Sequence, residues 1–125
     1  MATKLYLIAT DITPEVSFDL EASTYIIKGR SMPEDSEKFY QQIIDWFNEQ
    51  FNSKSEEAFL DVALDYYNTG SFIRLMALFN TLHALNEKGN KFGIRWICEE
   101  DDEDNIDDGQ SFKEVVKLPF EIIQL

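Results

Sequence analysis

The sequence has very few of the side chains on which common catalytic and metal-binding sites depend. Its 125 residues include one cysteine, Cys98, and one histidine, His83. A single cysteine excludes an intramolecular disulfide and a zinc site built from several cysteines, and we expect a reducing, cytoplasmic location. His83 lies in the middle of a predicted helix, and a single imidazole there is a poor basis for a catalytic triad.

Basic side chains are also scarce. The chain has 11 Lys and Arg against 24 Asp and Glu, a formal net charge of -13. This charge repels nucleic acid and anionic lipid headgroups, so we expect the protein to bind neither. A protein partner with a basic surface would associate with it fastest. No apolar run approaches the roughly 18 residues of a membrane span. The short run at residues 5–9 stops at Thr10 and Asp11, which is typical of a strand rather than of a signal peptide.

The common nucleotide-binding, hydrolase and metalloprotease motifs are missing from the sequence. The acidic run at residues 99–104 does not continue as a calcium-binding loop, because Ile106 stands where the sharp turn needs glycine. We therefore predict no metal, no organic cofactor and no enzymatic activity.

Hydrophobic periodicity predicts the fold class. Alternating or continuous apolar runs predict strands over residues 4–10, 16–20, 24–28, 58–67, 92–98 and 120–125. Apolar residues at three- and four-residue spacing predict helices that begin near Pro33, Gly70 and Asn105. Ser31 and Glu34 have the spacing of a capping box for the first helix. The order βββαβαβαβ predicts one α/β domain, bordering on α+β, over residues 1–125, with a mixed sheet of about six strands and three main helices.

The same periodicities predict which side chains are buried. The expected core comprises Phe39, Ile43, Phe47, Val62, Leu64, Leu75, Phe79, Ile94 and Trp96. Two other functions stay open at this point. Trp46, Phe47 and Tyr66 could line the pocket of a small-molecule binding module, and carboxylates facing one cleft could belong to a hydrolase.

The turn at residues 68–71, Asn-Thr-Gly-Ser, is the remaining candidate site. It joins the fourth predicted strand to the second helix, where free backbone amides and the helix dipole favour a phosphate on Thr69. Such a group would add negative charge beside Asp65 and change partner docking more than folding. Asn68, Gly70, Ser71 and Asp65 are the predicted partner-binding residues. From the residues alone, a plain helix N-cap at Asn68 or Thr69 is the simpler explanation.

Two segments of the sequence match the motifs of a known protein family. Residues 29–35 read Gly-Arg-Ser-Met-Pro-Glu-Asp, with Phe39-Tyr40 and Trp46 downstream, and residues 65–71 read Asp-Tyr-Tyr-Asn-Thr-Gly-Ser. Together they resemble the SiaC family of bacterial regulatory phosphoproteins, whose usual forms are close to G-x-S-x-P-E-N and Y-x-N-T-S-S. Asp35 replaces the usual asparagine, and Gly70 replaces a serine, which removes one hydroxyl and gives the turn more freedom.

The resemblance implies a partner-switching protein. In that family a kinase phosphorylates the threonine that corresponds to Thr69, and a PP2C-type phosphatase removes the phosphate. The unmodified form binds an output protein, which for part of the family is a diguanylate cyclase in biofilm control. The resemblance therefore implies a regulatory role in signalling for this chain, with these proteins as its partners.

Overall fold

Six strands form one mixed sheet, and three helices pack on one of its faces. The structure, a computed structural model, describes residues 3–125; residues 1 and 2 of the predicted domain lie outside the described residues. The elements are β1 Lys4–Leu7, β2 Glu15–Asp19, β3 Thr24–Ser31, α1 Ser36–Phe51, β4 Glu57–Tyr67, α2 Thr69–Glu87, β5 Lys91–Cys98, α3 Glu103–Val115 and β6 Phe120–Gln124. The predicted α/β class and element order are confirmed.

The strands lie in the sheet in sequence order, from β1 to β6. The first three pair antiparallel, whereas β3 to β6 pair parallel. Each parallel pair needs a crossover, which α1, α2 and α3 provide in turn. Each crossover connection is right-handed, and each leads to the next strand in the same direction across the sheet. All three helices therefore lie on the same face of the sheet. This topology gathers the C-terminal ends of the parallel strands and the starts of the helices at one edge of the sheet.

The first helix begins later than predicted and has a different cap. It starts at Ser36, where Asp35 Oδ1 accepts a 3.0 Å hydrogen bond from the backbone amide of Lys38. The predicted cap, Ser31, is the last residue of β3 and is fully buried. Its hydroxyl is used in tertiary hydrogen bonds, so the capping-box prediction is wrong. The third helix begins at Glu103, two positions before the predicted Asn105, because Asp102 caps it.

Strand ends also differ from the prediction. The strand β1 ends at Leu7, because the side chain of Thr10 accepts hydrogen bonds from the amides of Ile12 and Thr13 and turns the chain. The strand β3 does not stop at Gly29, which has a φ of 111° and lies beside a register shift.

That register shift is a β-bulge in the pairing of β3 with β4. Gly29 pairs with Leu64 but Arg30 pairs with Tyr66, so Asp65 is an extra residue in β4. A bulge reverses the alternation of side chains beyond it. As a result, Leu64 and Tyr67 both face the helices, and Tyr66 does not.

One hydrophobic core lies between the sheet and the helices. All the predicted core residues are buried except Phe39, which is partly buried and packs against Tyr40. Trp46 and Phe47 also lie inside this core, where both rings contact Phe18. Within residues 3–125 no helix is long and apolar enough to cross a bilayer.

Candidate functional site

The candidate turn lies at the sheet edge where the helices begin. Asn68 has an extended backbone, and its Oδ1 accepts a 2.9 Å hydrogen bond from the amide of Ser71, so Asn68 is the N-cap of α2. Its own amide donates to the carbonyl oxygen of Ser31 at 3.1 Å. These bonds fix the turn to the end of β3 and settle which residue caps the helix.

Thr69 is the first residue of α2 and is exposed. Its hydroxyl and the amides of Thr69 and Gly70 have no hydrogen-bond partner within residues 3–125. Such unpaired amides at a helix start attract negative charge. The side chain is therefore accessible to a modifying enzyme, and the backbone beside it suits a phosphate.

Three buried hydroxyl groups lie beneath the turn. Ser71 Oγ donates to the carbonyl oxygen of Ser31 at 2.9 Å, and Ser31 Oγ lies 2.8 Å from Ser71 Oγ and 2.6 Å from the hydroxyl of Tyr40. Burial raises the pKa of Tyr40 to about 12, so its hydroxyl stays protonated. This hydroxyl cluster links α1, β3 and α2, and it holds the backbone next to Thr69 in one position.

Gly70 lies where the starts of α1 and α2 approach each other. A Cβ atom at this position would lie 2.9 Å from Ser36 Oγ. The glycine therefore permits close approach of the two helices, and a larger residue would require the Ser36 hydroxyl to move.

A groove of 270 Å³ opens beside Thr69, between the start of α2 and the helix α3. It is lined by Tyr67, Asn68, Thr69, Phe72 and Asp108. The hydroxyl of Tyr67 donates to Asp108 Oδ2 at 2.6 Å. Burial, and then this hydrogen bond and the charge of Asp108, raise the pKa of Tyr67 well above its usual value, so it remains a donor. We call this groove the Thr69 groove.

A second groove, of 240 Å³, shares Tyr67 and Asp108 with the first. It is lined by Asp65, Tyr66, Tyr67, Asp102, Asp104, Asn105 and Asp108. Two of these carboxylates have structural roles, since Asp102 caps α3 and Asp108 accepts from Tyr67. Within residues 3–125 no group of three His, Cys, Asp or Glu side chains is arranged to hold a metal ion.

The structure thus distributes the predicted site residues over different roles. Thr69 and Asp65 are exposed, Asn68 and Gly70 are half-buried, and Ser71 is fully buried in the hydroxyl cluster. Trp46, Phe47 and Tyr66 do not line a common pocket, as the small-molecule hypothesis required, because Trp46 and Phe47 are in the core while Tyr66 is 51% exposed beside Arg30.

Sequence reasoning missed Tyr67, Phe72 and Asp108 as neighbours of Thr69. Tyr67 and Phe72 flank the turn, so proximity in sequence was an available signal for them. Asp108 lies on another helix in a run of acidic residues, and no pattern in the sequence distinguishes it from Asp107.

Comparison with known proteins identifies this arrangement. The sequence model described as "SiaC family regulatory phosphoprotein" matches residues 7–125. The chain belongs to the SiaC family. The resemblance seen in the sequence is thereby confirmed.

Relatives of the chain come from Pseudomonas aeruginosa. An uncharacterized protein of strain UCBPP-PA14 is 28% identical over 118 residues, which are 94% of each chain. The crystal structure of apo-SiaC superposes with a TM-score of 0.85 at 28% identity, covering 98% of this chain and 99% of the other. SiaC in complex with the diguanylate cyclase SiaD, of which it is the activator, gives a TM-score of 0.89 at 27% identity, covering 97% and 99%.

Proposed function

We propose that this SiaC-family chain is a regulatory phosphoprotein that is switched by reversible phosphorylation of Thr69. A kinase adds the phosphate and a PP2C-type phosphatase removes it. The unmodified chain binds and activates an output protein, a diguanylate cyclase. The chain acts through binding and is not itself an enzyme.

The observation that carries this proposal is the contrast among the hydroxyl groups at this edge of the sheet. Thr69 is exposed, whereas Ser31 and Ser71 are 0% exposed. A kinase can therefore reach Thr69 without unfolding the turn, but not the two serines. Because Asn68 provides the cap, modification of Thr69 does not remove the hydrogen bond that starts the helix.

The charges around Thr69 support an effect on docking. A phosphate carries nearly two negative charges, and here it would stand in the groove that also contains the carboxylate of Asp108. Free amides at the helix start would hold it there. The modified surface would differ in charge and shape from the unmodified one while the core stayed the same.

Support for the output partner comes from a relative. SiaC of P. aeruginosa is the activator in a complex with SiaD, and that SiaC covers almost the whole of this chain. We extend this partner class to the present chain, with Thr69, Asn68, Gly70 and Asp65 at the docking surface. Ser71 is buried below this docking surface and supports it by holding the turn in place.

Phosphosite mass spectrometry on the protein from its native cells tests the switch. We expect phosphate on Thr69 and none on Ser31 or Ser71, and Thr69→Ala should remove it. In a pull-down, Thr69→Ala should retain the cyclase, the phosphorylated chain should release it, and Thr69→Glu should weaken binding only in part, since it has less charge than phosphate.

Ser53→Ala is the matched control, because Ser53 is also exposed but lies in the turn after α1. It should leave both phosphorylation and binding unchanged. Modification of another residue in place of Thr69, or equal cyclase binding by the phosphorylated and unmodified chains, would contradict the proposal.

A further inference from the structure

The Thr69 groove combines an apolar floor with one carboxylate. Phe72 forms the floor and is stacked on Phe112, with ring centroids 4.4 Å apart. Asp108, on α3, also lines the groove. An apolar floor next to a carboxylate suits a long side chain with an aliphatic stem and a cationic head.

Asp108 is held in place for such a contact. Its Oδ2 accepts the hydrogen bond from Tyr67, and Oδ1 has no partner within residues 3–125. Tyr67 itself is fixed by packing edge-on against Trp96, with ring centroids 5.8 Å apart. A carboxylate that is already oriented loses little freedom on binding, which favours affinity.

The negative charge around the groove indicates which kind of side chain it would bind. Among the described residues that line this groove and its acidic neighbour, none is basic, and four are aspartates. The chain as a whole carries a net charge of -13. A second copy of this chain would be repelled by it, whereas a basic segment is attracted.

We propose that the Thr69 groove receives a lysine or arginine side chain of the output protein, and that Asp108 is the residue that recognises it. Phosphorylation of Thr69 then blocks the position by occupancy, because the phosphate, held by the free amides at the start of α2, fills the groove that the incoming side chain would enter. This inference rests on the proposed function for the identity of the partner, but the recognition itself requires no modification of Thr69.

Site-specific photocrosslinking tests which segment enters the groove. A benzophenone amino acid replaces Ile73, which is 52% exposed and adjoins Phe72 without lining the groove. In native cells lacking the kinase, we expect a crosslink to a cyclase peptide that contains Lys or Arg. The control replaces Tyr6, 61% exposed on β1, which is separated from β4 by two strands, and it should not capture that peptide.

Binding of the captured cyclase to charge variants tests the role of Asp108. Asp108→Asn keeps the acceptor for Tyr67 but removes the charge, and it should weaken binding by roughly tenfold or more. Asp107→Asn removes the same charge from the next, exposed position and should change binding less than about twofold. Tyr67→Phe keeps the carboxylate and should have an intermediate effect. Reversing the basic residue in the cyclase to Glu should abolish binding, and Asp108→Lys should restore it in part.

Several results would overturn the inference: no crosslink from position 73, a crosslink to a second copy, a captured peptide without Lys or Arg, or equal binding by Asp108→Asn and Asp107→Asn. The two proposals fail separately. If Thr69 is never phosphorylated but Asp108→Asn loses binding, the groove stands and the switch fails. If phosphorylation of Thr69 releases the cyclase but Asp108→Asn binds normally, the switch stands and the groove fails.

Discussion

Tyr67 and Asp108 are joined by a 2.6 Å hydrogen bond although 41 positions separate them in sequence. The bond links the last residue of β4 to α3, and it exists because the bulge at Asp65 turns Tyr67 toward the helices. Thr69 follows two positions later and shares a groove with both side chains. A local irregularity in one strand therefore determines which charge lies beside the candidate phosphorylation site.

We predict that Asn68→Ala and Thr69→Ala differ in stability. Asn68→Ala removes the side-chain acceptor that caps α2 and should lower the free energy of unfolding by about 1 kcal/mol. Thr69→Ala removes an exposed side chain without an intramolecular bond and should change it by less than about 0.5 kcal/mol. Urea denaturation measures both. A larger loss for Thr69→Ala than for Asn68→Ala would mean that Thr69 is the cap.

We predict that Tyr40→Phe weakens the base of the turn. It leaves Ser31 Oγ, which is buried, without one of its partners and should cost roughly 1 to 2 kcal/mol. Tyr25→Phe is the matched control, since Tyr25 is also buried but its hydroxyl has no hydrogen bond within residues 3–125. It should cost less than about 0.5 kcal/mol. Amide hydrogen exchange should also become faster at Ser71, whose amide donates to Asn68, in Tyr40→Phe alone.

We predict that stability falls at alkaline pH in part because of Tyr40. Its pKa is raised from 10.0 to about 12 by burial. Between those values the unfolded chain loses the phenolic proton before the folded one does, so the contribution is complete below pH 10 and is lost as the pH rises toward 12. Denaturation midpoints at pH 9 and at pH 11.5 measure the loss. Tyr40→Phe should show a smaller drop than the wild type, and an identical drop would contradict the assignment.

We predict that Asn105→Ala is strongly destabilising. Asn105 is 5% exposed, its Nδ2 donates to the carbonyl oxygen of Leu64 at 3.0 Å, and its Oδ1 accepts from Trp96 Nε1 at 2.9 Å. The substitution leaves buried polar groups without these partners and should cost about 2 to 3 kcal/mol. Asp104→Ala, on the neighbouring exposed position, should cost under about 0.5 kcal/mol. Thermal denaturation of the two variants provides the comparison.

Sequence patterns predicted the elements of the fold because periodicity reports directly which side of an element is buried. The alternation around Ile94 and Trp96 and the helical spacing around Leu75 and Phe79 led to the correct strand and helix. Ends were less well predicted, because competing local bonds decide them. Ser31 had the spacing of a cap, but its hydroxyl lies inside the protein with Tyr40 and Ser71.

The sequence by itself determined the family, the order of strands and helices, and the place of Thr69 at the start of a helix. These depend on short-range spacing and on matches along the chain. Tertiary structure alone decided that Ser71 is buried and that Asp108 stands beside Thr69. The reason is physical, because a bulge at Asp65 and the packing of α3 bring together side chains that are far apart in sequence. Local hydrophobic periodicity carries no information about such long-range contacts.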